Sequence, residues 1–121
     1  MANDRRKSEQ AGRSAELIAL WALRLKGWRL LAQRYKTPAG EVDLIMRRGE
    51  VTAFIEVKAR RSLDGAVESV TPRQARRIAA AARQFMAEDR RAALQACRFD
   101  IVAVTPYHWP THIENAFEGA D

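Results

Sequence analysis

Asp43, Glu56 and Lys58 fall within GEVDLIMRRGEVTAFIEVK, a stretch that reads as two strands joined by a tight turn. Two carboxylates and an ammonium group on neighbouring strands are the ingredients of a metal-dependent hydrolytic centre. A turn at Arg48-Gly49 predicts Met46 opposite Val51, Leu44 opposite Ala53 and Val42 opposite Ile55. Side-chain alternation then gives one face made of Val42, Leu44, Met46, Val51, Ala53, Ile55 and Val57. The other face carries Glu41, Asp43, Ile45 and Arg47 beside Thr52, Phe54, Glu56 and Lys58. On this register Glu41 faces Glu56, and Asp43 lies diagonally beside it. Two carboxylates about 5 Å apart repel by roughly 3 kcal/mol at an effective dielectric of about 20, and sheets normally avoid such pairs. Lys58 relieves part of that repulsion. A divalent cation relieves more, and hard oxygen ligands suit Mg²⁺ or Mn²⁺.

Several elements are needed to hold this hairpin in place. Leu17, Ile18, Trp21, Ala22 and Leu25 recur at helical spacing, which predicts a helix over residues 14 to 26 that stops at Gly27. Glu16 in its first turn answers the helix dipole or, if the helix packs over the sheet near Asp43, joins the acidic centre. A first strand is expected from Trp28 to Tyr35, linked by Thr37-Pro38-Ala39-Gly40 to the hairpin. Residues 62 to 70 show no periodicity and read as a loop beside the site. Thr71-Pro72-Arg73-Gln74 opens the next helix with a capping hydroxyl and a proline at the first helical position, and Gln74 falls where a capping box has its second member. Ala75, Ile78, Ala79, Ala82, Phe85 and Met86 form its buried stripe, with a break expected at Glu88-Asp89. A fourth strand follows from Arg98 to Val104. In the tail, Ile113 and Phe117 are candidates for docking, while His108, His112 and Glu114 fit ordinary surface placement better than a metal site.

With 121 residues, 47% hydrophobic and 30% charged, the chain fits one compact domain over residues 12 to 121, preceded by an arm of basic and polar residues at 1 to 11 that is expected to be disordered. The run AELIALWALRL is interrupted by charge and too short to span a bilayer, so no membrane association is expected. Cys97 stands alone, which excludes an intramolecular disulfide framework and fits a cytoplasmic setting. No serine, cysteine or histidine is placed for nucleophilic catalysis. The net charge of +6 favours a polyanionic partner. Arg76, Arg83 and Arg90 recur every seven residues with Arg73 and Arg77 nearby, a stripe that serves either as a phosphate track or as a solvated helix face.

The order helix, three strands, helix, strand, with GEVDLI, FIEVKAR, TPRQARRI and RFDIV, resembles the PD-(D/E)XK nuclease superfamily, which includes archaeal Holliday junction resolvases. The closer resemblance is to the small bacterial YraN family, over about residues 12 to 117. It implies an α/β, restriction-endonuclease-like αβββαβ core with a mixed central sheet flanked by helices. It further implies a Mg²⁺- or Mn²⁺-dependent endonuclease acting on DNA in preference to RNA, including branched or structured DNA. Asp43 and Glu56 correspond to metal ligands, the Val57 carbonyl to a further oxygen ligand, and Lys58 to the residue that orients or deprotonates the attacking water. Glu16 and Glu41 are additional candidate ligands, Glu16 by its likeness to a first-helix acid of some resolvases. Arg60, Arg61, Arg73, Gln74, Arg76, Arg77 and Arg83 are candidates for nucleic-acid contact. Asp100 belongs to the resemblance without a role. Val42 stands where the motif's name has proline. The alternative is a non-catalytic nucleic-acid-binding or adaptor domain on the same fold, and paired cuts would require a homodimer.

Overall fold

A computed structural model describes residues 2–118, with side chains from Gln10 onward; residues 2–11, expected as an arm before the helix, are helical and form the first part of α1. The chain runs α1 (Ala2–Leu25), β1 (Arg29–Thr37), β2 (Gly40–Arg48), β3 (Val51–Ala59), α2 (Leu63–Glu68), α3 (Pro72–Glu88), α4 (Arg90–Leu94), β4 (Ala96–Val104) and β5 (Thr111–Ile113). The strands lie side by side in chain order in one five-stranded sheet. Neighbours are antiparallel except for β3 and β4, whose parallel pairing requires the helical crossover between them. The fold is restriction-endonuclease-like, as expected, with α2, α4 and β5 added to the expected core.

Helix α1 ends in a Schellman turn: Trp28 N–H reaches Leu23 O at 3.1 Å, Gly27 N–H reaches Arg24 O at 3.0 Å, and Gly27 takes φ +91. The face it buries differs from the one expected. Ala15, Ala19, Leu20, Ala22 and Leu23 face the sheet, whereas Leu17, Ile18, Trp21 and Leu25 are exposed. On a helix apolar nearly all round, periodicity does not choose a face; the smaller side chains fit the close approach to β3.

Both sides of the sheet are covered. Leu44, Met46, Ala53, Ile55 and Val102 pack beneath α1, while Ile45 and Phe54 pack beneath Ile78, Ala81, Ala82 and Phe85 of α3. Ile45 and Phe54, expected on the polar face, are therefore core. That face is polar only at its ends.

The hairpin register also differs. The turn is Gly49-Glu50, with Gly49 at φ +59, and Arg48 pairs with Val51, Met46 with Ala53 and Leu44 with Ile55. The shift of two residues keeps the side chains of the paired residues, Leu44–Arg48 and Val51–Ile55, on their expected faces but changes their partners. One step beyond the last pair, Asp43 stands across from Glu56. Glu41 instead pairs with Lys36 of β1.

The stretch after β3 is ordered where a loop was expected. Ser62 caps α2, its side chain accepting the Gly65 N–H at 3.0 Å. Asp89 ends α3 and caps α4, accepting from Ala92 N–H at 2.9 Å, so the expected break lies at Asp89.

Gly40 sets how closely α3 approaches the sheet. A Cβ there would lie 1.8 Å from the Arg77 carbonyl oxygen. Gly40→Ala is expected to cost about 1–3 kcal/mol or more, because the obstacle is helix backbone and not a movable side chain. Chemical denaturation measures the loss directly, and an unchanged midpoint would show that α3 yields freely.

Candidate active site

The acidic centre forms where the β2–β3 ladder opens. The two-residue turn makes Arg48/Val51, Met46/Ala53 and Leu44/Ile55 the hydrogen-bonded pairs, so Val42 would be the next partner for Val57. Instead the Val57 N–H donates to Asp43 Oδ2 at 2.8 Å. The departure from the ladder carries Val42 into the core beneath α3, opposite the face on which alternation placed it. It also fixes the Asp43 carboxylate against β3.

Glu56 is 5% exposed. Its carboxyl is pushed up to about 9, first by burial and then by the hydrogen bond and negative charge of Asp43, with Lys58 partly opposing. At neutral pH Glu56 therefore keeps its proton. Lys58 Nζ lies 4.0 Å from Glu56 Oε2 and donates to Gln74 Oε1 at 3.0 Å. The Gln74 amide donates in turn to Glu56. Gln74 thus bridges acid and base, and Thr71 Oγ1 accepts only its backbone N–H, at 3.1 Å. The side chain is committed to the cleft and not to a capping box.

Glu16 reaches the same cleft from α1. Burial raises its carboxyl first, hydrogen bonding to Arg34 opposes this, and the Asp43 charge raises it further. Its Oε2 accepts from Arg34 Nε at 3.0 Å and Nη2 at 2.9 Å. Among the described residues no three or more His, Cys, Asp or Glu side chains form a metal-binding group. The donor set nonetheless fits one small hard cation: two opposed carboxyl groups, one of them kept protonated by burial and by its neighbour's charge, with main-chain oxygen and water available to complete a shell.

The cleft measures about 470 Å³ and is lined by Glu16, Arg34, Glu41, Asp43, Glu56, Val57, Lys58 and Gln74, with Gly12, Arg13, Lys36 and Val42. A smaller adjoining pocket, which shares Glu41, Glu56 and Gln74, reaches Thr71, Arg73 and Arg77 of the α3 flank. Glu41 is exposed at the boundary between the two. Arg60 and Arg61 instead lie with Val104, Thr105 and Pro106, while Arg76 and Arg83 are exposed on α3 without lining either part. Arg13, Arg34 and Lys36 were missed from sequence. The β1–β2 register supplies the placement of Arg34: Gln33 pairs with Leu44 and Tyr35 with Val42, which leaves Arg34 opposite Asp43.

Residues 15–104 match a family described as "Uncharacterised protein family UPF0102". The chain belongs to this family. It is 48% identical over 115 residues to a UPF0102 protein of Mesorhizobium japonicum, covering 95% of this chain and 92% of the relative. A UPF0102 protein of Methylocella silvestris is 47% identical over 117 residues, covering 97% and 94%, and one of Brucella canis is 48% identical over 106 residues, covering 88% and 84%. The UPF0102 family is the YraN family of the resemblance.

In this UPF0102 chain Asp100 has a structural task. It is fully buried and accepts from Arg98 Nε and Nη2 at 2.9 Å each, from the Asn115 N–H at 2.8 Å, and pairs with His112 Nε2 at 2.7 Å. Burial alone would raise its carboxyl, but the hydrogen bonds from His112, Arg98 and Asn115 outweigh this and hold it low. Asp100 therefore ties β5 and the segment after it to β4. His112 is buried against the Trp28 ring edge and not on the surface as expected, since Asp100 supplies the partner that makes its burial affordable. Ile113 pairs with Ile101 in the sheet and Phe117 packs on Phe99, the docking expected of both. No helix among the described residues is long and apolar enough to cross a membrane.

Proposed function

We propose that this protein is a Mg²⁺- or Mn²⁺-dependent endonuclease acting on nucleic acid, DNA before RNA, including branched or structured DNA. The observation that carries the reading is the opposition of Asp43 and Glu56 in one cleft, with Lys58 on the same strand as Glu56 and Gln74 joining the two. A bound divalent cation supplies a lowered water pKa and charge neutralisation at the phosphate. Asp43 and Glu56 would hold that cation, with the Val57 carbonyl as a further oxygen. The Val57 N–H keeps Asp43 in place for this, so a ligand is fixed before any cation arrives. Lys58 would place positive charge beside the scissile group and orient or deprotonate the attacking water. Gln74 holds the Lys58 ammonium in the cleft, where burial strengthens its field. Arg73 and Arg77 on the α3 flank would bind backbone phosphates, a contact that carries little sequence information.

The test titrates Mg²⁺ and Mn²⁺ into the purified protein with linear, nicked, flapped and four-way DNA and with structured RNA. Metal-dependent cuts within the chain support the proposal. Salt-sensitive binding without cleavage of any substrate overturns it in favour of a non-catalytic binding domain.

A further inference from the structure

Arg34 adopts φ +50 inside β1, a left-handed conformation that a non-glycine residue holds only at an energetic cost. The strained residue stands opposite Asp43 in the β1–β2 register and lines the acidic cleft. Both of its described side-chain contacts go to one oxygen, Glu16 Oε2. The Arg34 side chain is 39% exposed, whereas the Glu16 side chain is 12% exposed. The ion pair is thus open to the cleft on its basic side and closed on its acidic side. Arg13 and Lys36 line the cleft around it, on the flank away from Arg73 and Arg77.

We propose that Arg34 is a phosphate-binding residue that exchanges partners: it releases Glu16 when it takes a backbone phosphate of the nucleic acid, and the freed Glu16 carboxylate then turns to the cation at Asp43. The inference rests on the nuclease reading above. Arginine's planar fork matches a phosphate as well as a carboxylate, so the exchange trades one bidentate-capable anion for another. It also puts Glu16 to use. Held by Arg34 it is a buried acid beside a second acid; released, it is a third oxygen ligand for a hard cation. Substrate would therefore strengthen metal binding, and by reciprocity metal would strengthen substrate binding.

Arg34→Gly is the cleanest deletion, because glycine adopts φ +50 without strain and the fold is retained. Calorimetry with Ca²⁺ reads metal binding without turnover, and anisotropy of a fluorescein-labelled 30-base-pair DNA reads substrate binding. In the wild type, the DNA is expected to tighten Ca²⁺ binding about tenfold. Arg34→Gly should bind Ca²⁺ several-fold more tightly than the wild type when DNA is absent, lose the tightening by DNA, and lower the log–log salt slope of DNA binding by about 1. Glu16→Gln should also lose the tightening, while binding metal-free DNA at least as well as the wild type. Unaltered Ca²⁺ affinity in Arg34→Gly, or tightening that survives in either variant, overturns the exchange. If wild-type protein binds Ca²⁺ no better than Asp43→Asn does, the metal reading fails first and the exchange fails with it.

Discussion

Asp43→Asn lowers metal-dependent cleavage about 10³-fold or more, equivalent to about 4 kcal/mol of transition-state stabilisation, while the protein stays folded. Asparagine is the informative replacement. Its carbonyl oxygen still accepts the Val57 N–H that Asp43 Oδ2 accepts at 2.8 Å, so the opened end of the hairpin keeps its tie. Only the charge opposite Glu56 is removed. Alanine would instead leave the Val57 N–H without its partner at a cost of about 1–3 kcal/mol, and lost activity could then reflect a displaced strand. The measurement is single-turnover cleavage at saturating Mg²⁺, paired with a thermal melt. Activity within tenfold of the wild type would remove Asp43 from the chemistry.

Glu56→Gln is expected to make the metal-free protein more stable while making it inactive. The Glu56 carboxyl is raised from 4.5 to about 9 in the folded protein, by burial first and Asp43 second. An acid whose folded pKa is raised gives full stability below the unfolded value, and stability falls as pH rises through the window between the two. Metal-free wild type should therefore lose stability from about pH 4.5 to about pH 9. Near pH 7 the loss is on the order of 3 kcal/mol as an upper figure. Glutamine imitates the protonated acid, accepting from Gln74 through its carbonyl and donating toward Asp43 through its amide. Its melting temperature in a chelator should stay nearly level over that pH range and exceed that of the wild type at pH 8 by several degrees. Added Mg²⁺ should stabilise the wild type more at pH 8 than at pH 5, because the cation displaces a proton that is scarcer at high pH. A flat wild-type curve would mean that Glu56 is ionised at little cost, and the opposition of the two carboxylates would lose its energetic meaning.

The core of this arrangement was legible from spacing. Alternation put Asp43, Glu56 and Lys58 on one face because a register error of two residues preserves faces. The same error misassigned the neighbours, making Glu41 rather than Asp43 the partner of Glu56. The cause is local: Arg48-Gly49 and Gly49-Glu50 are both acceptable turns, and two-residue loops are favoured in hairpins. Ile45 and Phe54 were read as part of a polar face because alternation alone does not reveal that a central strand is covered on both sides. Gln74 had two readings, and only the proximity of α3 to β3, permitted by Gly40, separates them. Arg34 was hidden for a different reason. Its side chain matters because of a left-handed backbone angle, and no residue type other than glycine or asparagine advertises one.

The two-residue turn between β2 and β3 also bears on the order in which the molecule assembles. Asp43 and Glu56 meet within one hairpin, a contact closed on the order of microseconds. Gln74 and the parallel partner β4 arrive later, since the crossover through α2, α3 and α4 must first be laid down. The repelling acids are thus paired while still in water, where the repulsion is weak, and the penalty of burying Glu56 falls at the docking of α3. That step is where Glu56→Gln should quicken folding most, and where a divalent cation present during refolding would act.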